Sequence, residues 1–350
     1  MKRSYRKIAK FVSLFLVIAL AFSLVSCAGE VEEKKTIAVI AKGESHAFWQ
    51  EVKKGAQAAA DKYGYEIDFK APASENKKFL DVQSAAIADA VSAKYSAIVL
   101  AAVNEGLTAE LETAFDNNIP VVEFDSGIFA KDLEKLSADK KNPVVSKVAT
   151  SNIMASEIAA ENFFNAIKDD IAKADDEYVL GVIQHDETAT GLNRAGGFIS
   201  KLEILADKDP ATKGKLDIEK VVKYGEVEDN SYKDALEELY DEGADAIFMT
   251  NEGVVKQVFD AVKADKKYDK IKFCGFDSGS AQMEWMRMPT GAKLVGSVAQ
   301  NSYQIGYEAV EQAVFAAEGK DITPNVMLSG TWWNVDSVDT MLADGLVYEG

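Results

Sequence analysis

The stretches "IPVVEFDSG" at residues 119–127 and "IKFCGFDSG" at residues 271–279 decide the fold prediction, because they repeat one pattern in two distant parts of the chain. Each is a short apolar run that ends in the same acidic turn. Such a run is typical of a strand buried on both faces of a parallel sheet, and ligands bind beyond the carboxyl ends of these strands. We therefore expect Asp125 and Asp277 to lie at the functional edges of two similar lobes. The alternative is that each aspartate only caps the turn or helix that follows it.

Strand and helix patterns alternate on both sides of these turns, from Thr36 onward. Runs such as "TIAVIA" and "AIVLAA" are typical of buried strands, whereas "FWQEVKKGAQAAADKYG" has helical spacing and a glycine where the helix should stop. The pattern begins again at "VVSKVATSN". A chain of 350 residues suits two lobes of ordinary size. The predicted fold class is therefore α/β, with two doubly wound parallel-sheet lobes.

The first residues are expected to lie outside this fold. A basic start is followed by an uncharged apolar run from Phe11 to Ser26, which indicates a secretory signal at residues 1–26 and is short for a membrane span of about 20 residues. The segment "LVSC", which ends at Cys27, resembles the lipobox of bacterial lipoproteins. The resemblance implies a lipid on Cys27, a tether at residues 27–35 and a location outside the cytoplasmic membrane. The alternative is an ordinary signal peptide followed by a chance cysteine.

Composition and missing motifs exclude several function classes. The formal charge of −18 argues against nucleic acid, whose phosphates would be repelled. We expect no enzyme chemistry, because no G-x-G-x-x-G loop follows "TIAVIA" and neither a nucleophile elbow nor a P-loop is present, and we expect no cofactor. We expect no metal, because the acidic segment around Asp207 and Asp209 lacks the third oxygen ligand and the glycine of a calcium loop. Cys274 is expected to be a buried small hydrophobe.

An ordered set of segments carries a family resemblance: "AFWQEVKKGAQAAADKYG", "NIPVVEFDSG", "VATSNIMASEIAAE", "NRAGGF", "FMTNEGVVKQVFDAVK", "FCGFDSGS" and "VAQNSYQIGYEAVEQAV". Together they resemble the ribose-type periplasmic substrate-binding proteins of sugar ABC transporters, which are type I periplasmic binding proteins. The resemblance implies two lobes joined by three hinge crossovers. The N-terminal lobe would comprise residues 36–150 plus 301–325, and the C-terminal lobe residues 151–300 plus 326–350.

The same resemblance implies a set of ligand-binding positions. Aspartate accepts hydrogen bonds from sugar hydroxyls, arginine donates in a planar fork, amides do both, and aromatic rings pack on C–H faces. Ser126 departs from the arginine that often follows the first acid in ribose-type members, and Asn230 stands where some relatives have an aromatic residue. The implied positions are His46, Phe48, Trp49, Asp125, Ser126, Arg194, Asn230, Asn251, Asp277 and Gln300.

The predicted function is an extracytoplasmic solute-binding lipoprotein, monomeric, that closes around a small neutral polyhydroxylated ligand and delivers it to an ABC transporter permease. The implied site holds two acids, Asp125 and Asp277, but only one arginine, Arg194. A phosphorylated or carboxylate ligand would be repelled there, so a neutral sugar is favoured. Alternatives within binding are a nucleoside, an amino acid or a small signalling furanose. An enzyme on the same fold is a further alternative, for which His185 and Asp186 are the weak candidates. A repressor-type regulator would need an N-terminal helix-turn-helix and a basic face, whereas this chain has an export signal followed by an acidic mature part.

Overall fold

The computed structural model describes residues 35–44, 47–73, 75–185, 189–223 and 231–348, which belong to a compact unit that begins at Lys35. Strands and helices alternate along it. The strands are β1 (Thr36–Ile40), β2 (Glu66–Lys70), β3 (Ala97–Leu100), β4 (Val121–Phe124), β5 (Val144–Thr150), β6 (Tyr178–Gln184), β7 (Leu216–Val222), β8 (Ala246–Met249), β9 (Lys272–Phe276), β10 (Lys293–Ala299), β11 (Asn325–Leu328) and β12 (Thr331–Trp333). The α-helices are α1 (Ala47–Tyr63), α2 (Leu80–Ser92), α3 (Thr108–Asp116), α4 (Ala130–Ala138), α5 (Asn152–Lys173), α6 (Ala189–Lys208), α7 (Ser231–Asp241), α8 (Glu252–Ala264), α9 (Ser280–Arg287), α10 (Ser302–Ala317) and α11 (Val338–Ala343).

These strands form two sheets with the same order. Across the described ranges, the first sheet runs β2-β1-β3-β4-β5-β11 and the second runs β7-β6-β8-β9-β10-β12. All pairings are parallel except that of β12, which is antiparallel to β10. The central strands β3, β4 and β8 are buried along their whole length, as helices on both faces require. The prediction of two doubly wound parallel-sheet lobes is therefore confirmed.

The chain passes between the sheets at three places. The first two follow β5 and β10, near the predicted positions. The third joins β11 of the first sheet to β12 of the second, so it lies at Ser329–Gly330 rather than at Asn325–Val326 as we expected. Gly330 is required here, because a Cβ atom on it would lie 2.6 Å from the Val298 side chain and 2.7 Å from that of Ala155. The boundary expected after residue 325 was therefore wrong by a few residues.

Helices α1 and α10 hold the first lobe together through a close backbone contact. A Cβ atom on Gly55 of α1 would lie 1.8 Å from the carbonyl oxygen of Tyr303, and one on Gly306 of α10 would lie 2.0 Å from that of Val52. The two glycines therefore let the backbones touch. This contact holds α1 directly against α10.

The end of the described chain contacts both lobes. After α11 the backbone turns at Gly345, which has a φ of 69°. Val347 packs into the core of the second lobe, whereas the next residue, Tyr348, packs into the core of the first. The hydroxyl of Tyr348 lies 3.0 Å from that of Ser302, at the start of α10. Residues 346–348, which we call the C-terminal strap, therefore lie beside the second crossover.

Among the helices that the structure describes, none is long and apolar enough to cross a membrane.

Candidate functional site

The two acidic turns have the same backbone conformation. Asp125 and Asp277 both adopt the left-handed region, with φ of 52° and 70°. Asparagine and aspartate are among the few non-glycine residues that tolerate it. Each N–H donates to the neighbouring strand, Asp125 to the Val148 carbonyl at 2.9 Å and Asp277 to that of Val298 at 2.7 Å. The repeated sequence therefore meets a backbone requirement, and it places one carboxylate at the carboxyl edge of each sheet.

Both turns face one cleft between the lobes. The space between the lining residues, with the open mouth included, is about 490 Å³. Eight predicted site residues line it: Phe48, Trp49, Asp125, Ser126, Arg194, Asn251, Asp277 and Gln300. The other two, His46 and Asn230, lie outside the described residues, as does Cys27. The prediction did not include six further lining residues: Lys42, Glu75, His185, Thr190, Glu252 and Gly253.

The carboxylate of Asp277 is held within its own lobe. It is 7% exposed, and its Oδ1 accepts a hydrogen bond from Gln300 Nε2 at 2.6 Å. Its Oδ2 accepts the backbone N–H of Glu252 at 3.1 Å and lies 3.6 Å from Arg194 Nη1. Since a buried carboxylate is stable only when paired and hydrogen-bonded, these partners explain how it remains in the core. Asp277 thus orders the second lobe's side of the cleft.

Arg194 is fixed in turn by three other residues of the second lobe. Its Nε donates to Asn152 Oδ1 at 2.8 Å and its Nη1 to the Thr250 carbonyl at 3.0 Å. The guanidinium carbon lies 3.9 Å from the centroid of the Phe276 ring. A stacked guanidinium with several hydrogen bonds is pre-organised, so little entropy is lost when it donates to a ligand. Asn251 is similarly fixed, because its Oδ1 caps α8 by accepting the N–H of Val254.

Asp125 has a different environment on the opposite wall. Burial raises the pKa of its carboxyl group, while the charges of Lys42 and Arg194 oppose that rise and the charge of Glu75 adds to it. The effect of Arg194 comes from the other lobe, so the two walls are close enough to interact electrostatically. A desolvated carboxylate that faces a cleft is a strong acceptor for ligand O–H groups.

The aromatic pair after β1 is part of the core as well as of the cleft wall. Trp49 is 1% exposed and makes edge-to-face contacts with Phe48 and Phe124, at centroid distances of 4.7 and 5.6 Å. Its indole N–H donates to Glu75 Oε1 at 2.6 Å. The rings therefore form a rigid apolar wall, on which the C–H face of a ligand could pack.

Some buried polar atoms of the lining residues have no hydrogen-bond partner in the described structure. Among them are the hydroxyl oxygen of Ser126 and Oε1 of Gln300, one from each side of the cleft. Buried polar groups in native proteins are nearly always satisfied by protein, water or ligand. An arrangement of hydroxyl, amide, carboxylate and guanidinium groups around an aromatic wall can hold a small molecule with many hydroxyls.

Comparisons with known proteins match most of the chain. Residues 37–321 match a family described as the periplasmic binding protein domain. A solved structure described as an ABC transporter, LacI family transcriptional regulator from Brachyspira murdochii has a TM-score of 0.78 and 29% identity, and the match covers 90% of this chain and 99% of that one. An ABC transporter solute-binding protein from Agrobacterium vitis with bound D-fucose has a TM-score of 0.71 and 25% identity, with 89% and 100% covered.

A second Agrobacterium vitis solute-binding protein, bound with alpha-D-tagatopyranose, has a TM-score of 0.73, and the match covers 91% of this chain and all of that one. At 22% identity this likeness shows the fold alone. No curated protein matches the chain.

Proposed function

We propose a function for this chain, which belongs to the periplasmic binding protein domain family. It captures a neutral monosaccharide in the cleft between its lobes and delivers the sugar to an ABC transporter permease. The observation that carries the proposal is the convergence of Asp125, Ser126, Arg194 and Gln300, from both lobes, on one small cleft. The orphaned oxygens of Ser126 and Gln300 would accept ligand O–H groups. The D-fucose held by the Agrobacterium vitis relative supports the ligand class.

Charge supports a neutral ligand. Lys42 faces Glu75 at 3.6 Å and Arg194 faces Asp277 at 3.6 Å, so each cation of the cleft has a nearby carboxylate. Asp125 adds a further negative charge. An anionic ligand would meet this surplus of carboxylates, whereas a neutral polyol can donate to them.

The mechanism would be closure of the lobes about their crossovers. Asp125 and the aromatic wall belong to the first lobe, whereas Arg194, Asn251 and Asp277 belong to the second. A ligand that contacts both walls stabilises the closed form by its differential affinity for that form. We propose that the lobes comprise residues 36–150 with 301–328 and residues 151–300 with 331–346, and that the strap contacts both.

No chemistry is part of this proposal. His185, the residue that would most readily serve an enzyme, lies in the cleft, but its Nδ1 is 2.6 Å from the Thr250 hydroxyl, so one ring nitrogen is already engaged. Asp186, the predicted partner of His185, lies outside the described residues. We propose binding and release without turnover, and conversion of a bound sugar to a new product would contradict this.

Melting temperatures measured with a panel of ligands test the function. Because a ligand that binds the folded form raises the melting temperature by mass action, we expect at least one neutral monosaccharide to do so. The panel would include D-fucose, D-tagatose, D-arabinose and D-allose, with nucleosides and amino acids as rivals. The proposal would be contradicted if only nucleosides or amino acids raised the melting temperature, or if none of the sugars raised it.

The lipid anchor is a separate proposal, motivated by "LVSC" at residues 24–27. We expect Cys27→Ser to move the exported protein from the membrane fraction to the soluble fraction. Equal membrane association of the variant and the wild type would show that Cys27 carries no anchor.

A further inference from the structure

Glu75 contacts two other side chains of the cleft, those of Trp49 and Lys42. It lies in the segment after β2, and its side chain is 28% exposed. Its Oε1 accepts the indole N–H of Trp49 at 2.6 Å, and its Oε2 lies 3.6 Å from Lys42 Nζ. Since Lys42 follows β1 and β2 lies beside β1 in the sheet, the pair forms at the carboxyl edge of two neighbouring strands.

The charges of this pair act on Asp125, which lines the same cleft. Lys42 lowers the pKa of Asp125 and Glu75 raises it, so both charges are felt where a ligand would sit. Among the described residues that line the cleft, Lys42 pairs with a partly exposed carboxylate, that of Glu75, whereas Asp277, which faces Arg194, is buried. Removing the charge of Glu75 would therefore make the first lobe's wall more positive without breaking the core around Asp277.

We propose that Glu75 is a specificity-determining residue: by pairing with Lys42 it keeps the cleft closed to anionic sugars. This inference rests on the proposed function. With Glu75 charged, a sugar carboxylate or phosphate near Lys42 would meet the carboxylates of both Glu75 and Asp125. Specificity of this kind comes from a repulsive element against the wrong ligand as much as from attraction to the right one.

Glu75→Gln separates the charge of Glu75 from its positioning role. The amide oxygen of glutamine can still accept from Trp49, so the aromatic wall stays in place while the negative charge is lost. We expect the ratio of the affinities for D-galactose and D-galacturonate, and for D-glucose and D-glucuronate, to shift toward the uronate by about tenfold or more. The gain should fall as salt concentration rises, because it is electrostatic. Calorimetric titration measures both quantities.

Glu44→Gln is the matched control, since it changes the net charge equally from an exposed position that does not line the cleft. We expect it to leave the ratio unchanged. A Glu75→Gln variant that has wild-type tryptophan emission and does not gain uronate affinity overturns the inference, as does an equal gain in Glu44→Gln. A wild type that binds no neutral monosaccharide overturns the proposed function, whereas a wild type that binds neutral sugars together with an unchanged ratio in Glu75→Gln overturns the role of Glu75 alone.

Discussion

Asp125 and Asp277 share a backbone conformation but differ in what surrounds their carboxylates. Asp277 is held by Gln300, by a backbone N–H and by Arg194, whereas Asp125 is desolvated on the opposite wall. The same substitution should therefore have opposite effects on stability at the two positions. Asparagine suits this comparison, because it tolerates the left-handed backbone of both turns.

At position 125 we expect Asp125→Asn to raise the melting temperature of the ligand-free protein at neutral pH. Burial raises the pKa of this carboxyl group, so the folded form holds the proton more tightly than the unfolded chain. The protonated carboxyl group contributes its full stability below pH 3.8, the ordinary pKa of the group. That contribution is lost as pH rises through the raised pKa of the folded form. The gain of the variant should therefore vanish in acid. Sugar affinity should fall about tenfold or more, because a charge-assisted hydrogen bond is lost.

At position 277 we expect Asp277→Asn to lower the melting temperature at neutral pH, since it leaves the buried guanidinium of Arg194 without its carboxylate. Removing one partner of a buried pair costs about 3–5 kcal/mol. Melting curves of both variants across pH check the contrast. A stabilised Asp277→Asn variant, or a destabilised Asp125→Asn variant at neutral pH, would contradict this account of the two turns.

Trp49 should matter for folding as much as for binding. Because its ring is 1% exposed and packs among core residues, we expect Trp49→Ala to lower the free energy of unfolding by about 3–5 kcal/mol. Urea denaturation measures this loss. A loss below about 1 kcal/mol would show that the ring is not the core anchor described here.

Residues that line the cleft could be predicted where the end of a strand coincided with a ligand-binding position implied by the family resemblance. Asp125, Asn251 and Asp277 are examples. Lys42 and Glu75 also follow strands, so the signal for them was present. Their contact depends on β2 lying beside β1, and the order of strands in a sheet is not readable from the period of apolar residues. The predictions for His46 and Asn230 stay predictions.

At the scale of elements, the contact between α1 and α10 offers a test with an internal control. A methyl group on Gly306 would push into the Val52 carbonyl, whereas one on Gly196 of α6 would meet nothing within 4 Å. We expect Gly306→Ala to destabilise the protein by about 1–3 kcal/mol through overpacking. Gly196→Ala should stabilise it by up to about 1 kcal/mol, because alanine has the higher helix propensity. Equal changes in urea denaturation would contradict the close contact.

The types of the secondary-structure elements could be predicted from the sequence more readily than the places where the chain crosses between the sheets. The alternation of apolar runs and helical segments gave two parallel sheets, but the third crossover was expected before β11 rather than after it. The reason is physical: β11 and β12 are short strands only two residues apart, and the sheet that each joins is set by tertiary pairing, which the apolar pattern of the sequence does not encode. Gly330 would have been the better marker of the crossover.

At the scale of the whole molecule, the C-terminal strap should limit how far the lobes separate. Consecutive residues, Val347 and Tyr348, pack into the cores of different lobes, so opening must strain or break one contact. We expect Tyr348→Ala to give a larger radius of gyration than the wild type without ligand, and Tyr348→Phe a smaller increase. Solution scattering measures this.

Tyr178 supplies the control for the strap. It is a buried tyrosine within the core of the second lobe, so Tyr178→Ala should reduce stability without changing the separation of the lobes. If the folded Tyr348→Ala variant has the same radius of gyration as the wild type, the strap does not limit opening.

The proposed closure of the two lobes around a neutral sugar can be followed by measuring a distance across the cleft. Spin labels at the exposed positions Lys131→Cys on α4 and Asn193→Cys on α6 lie on different lobes, and in the unit that begins at Lys35 the other cysteine, Cys274, is buried. Adding a mixture of neutral monosaccharides should replace a broad distribution of distances by a shorter and narrower one. A distribution that the mixture leaves unchanged, in a protein shown to be folded, would contradict the proposed closure.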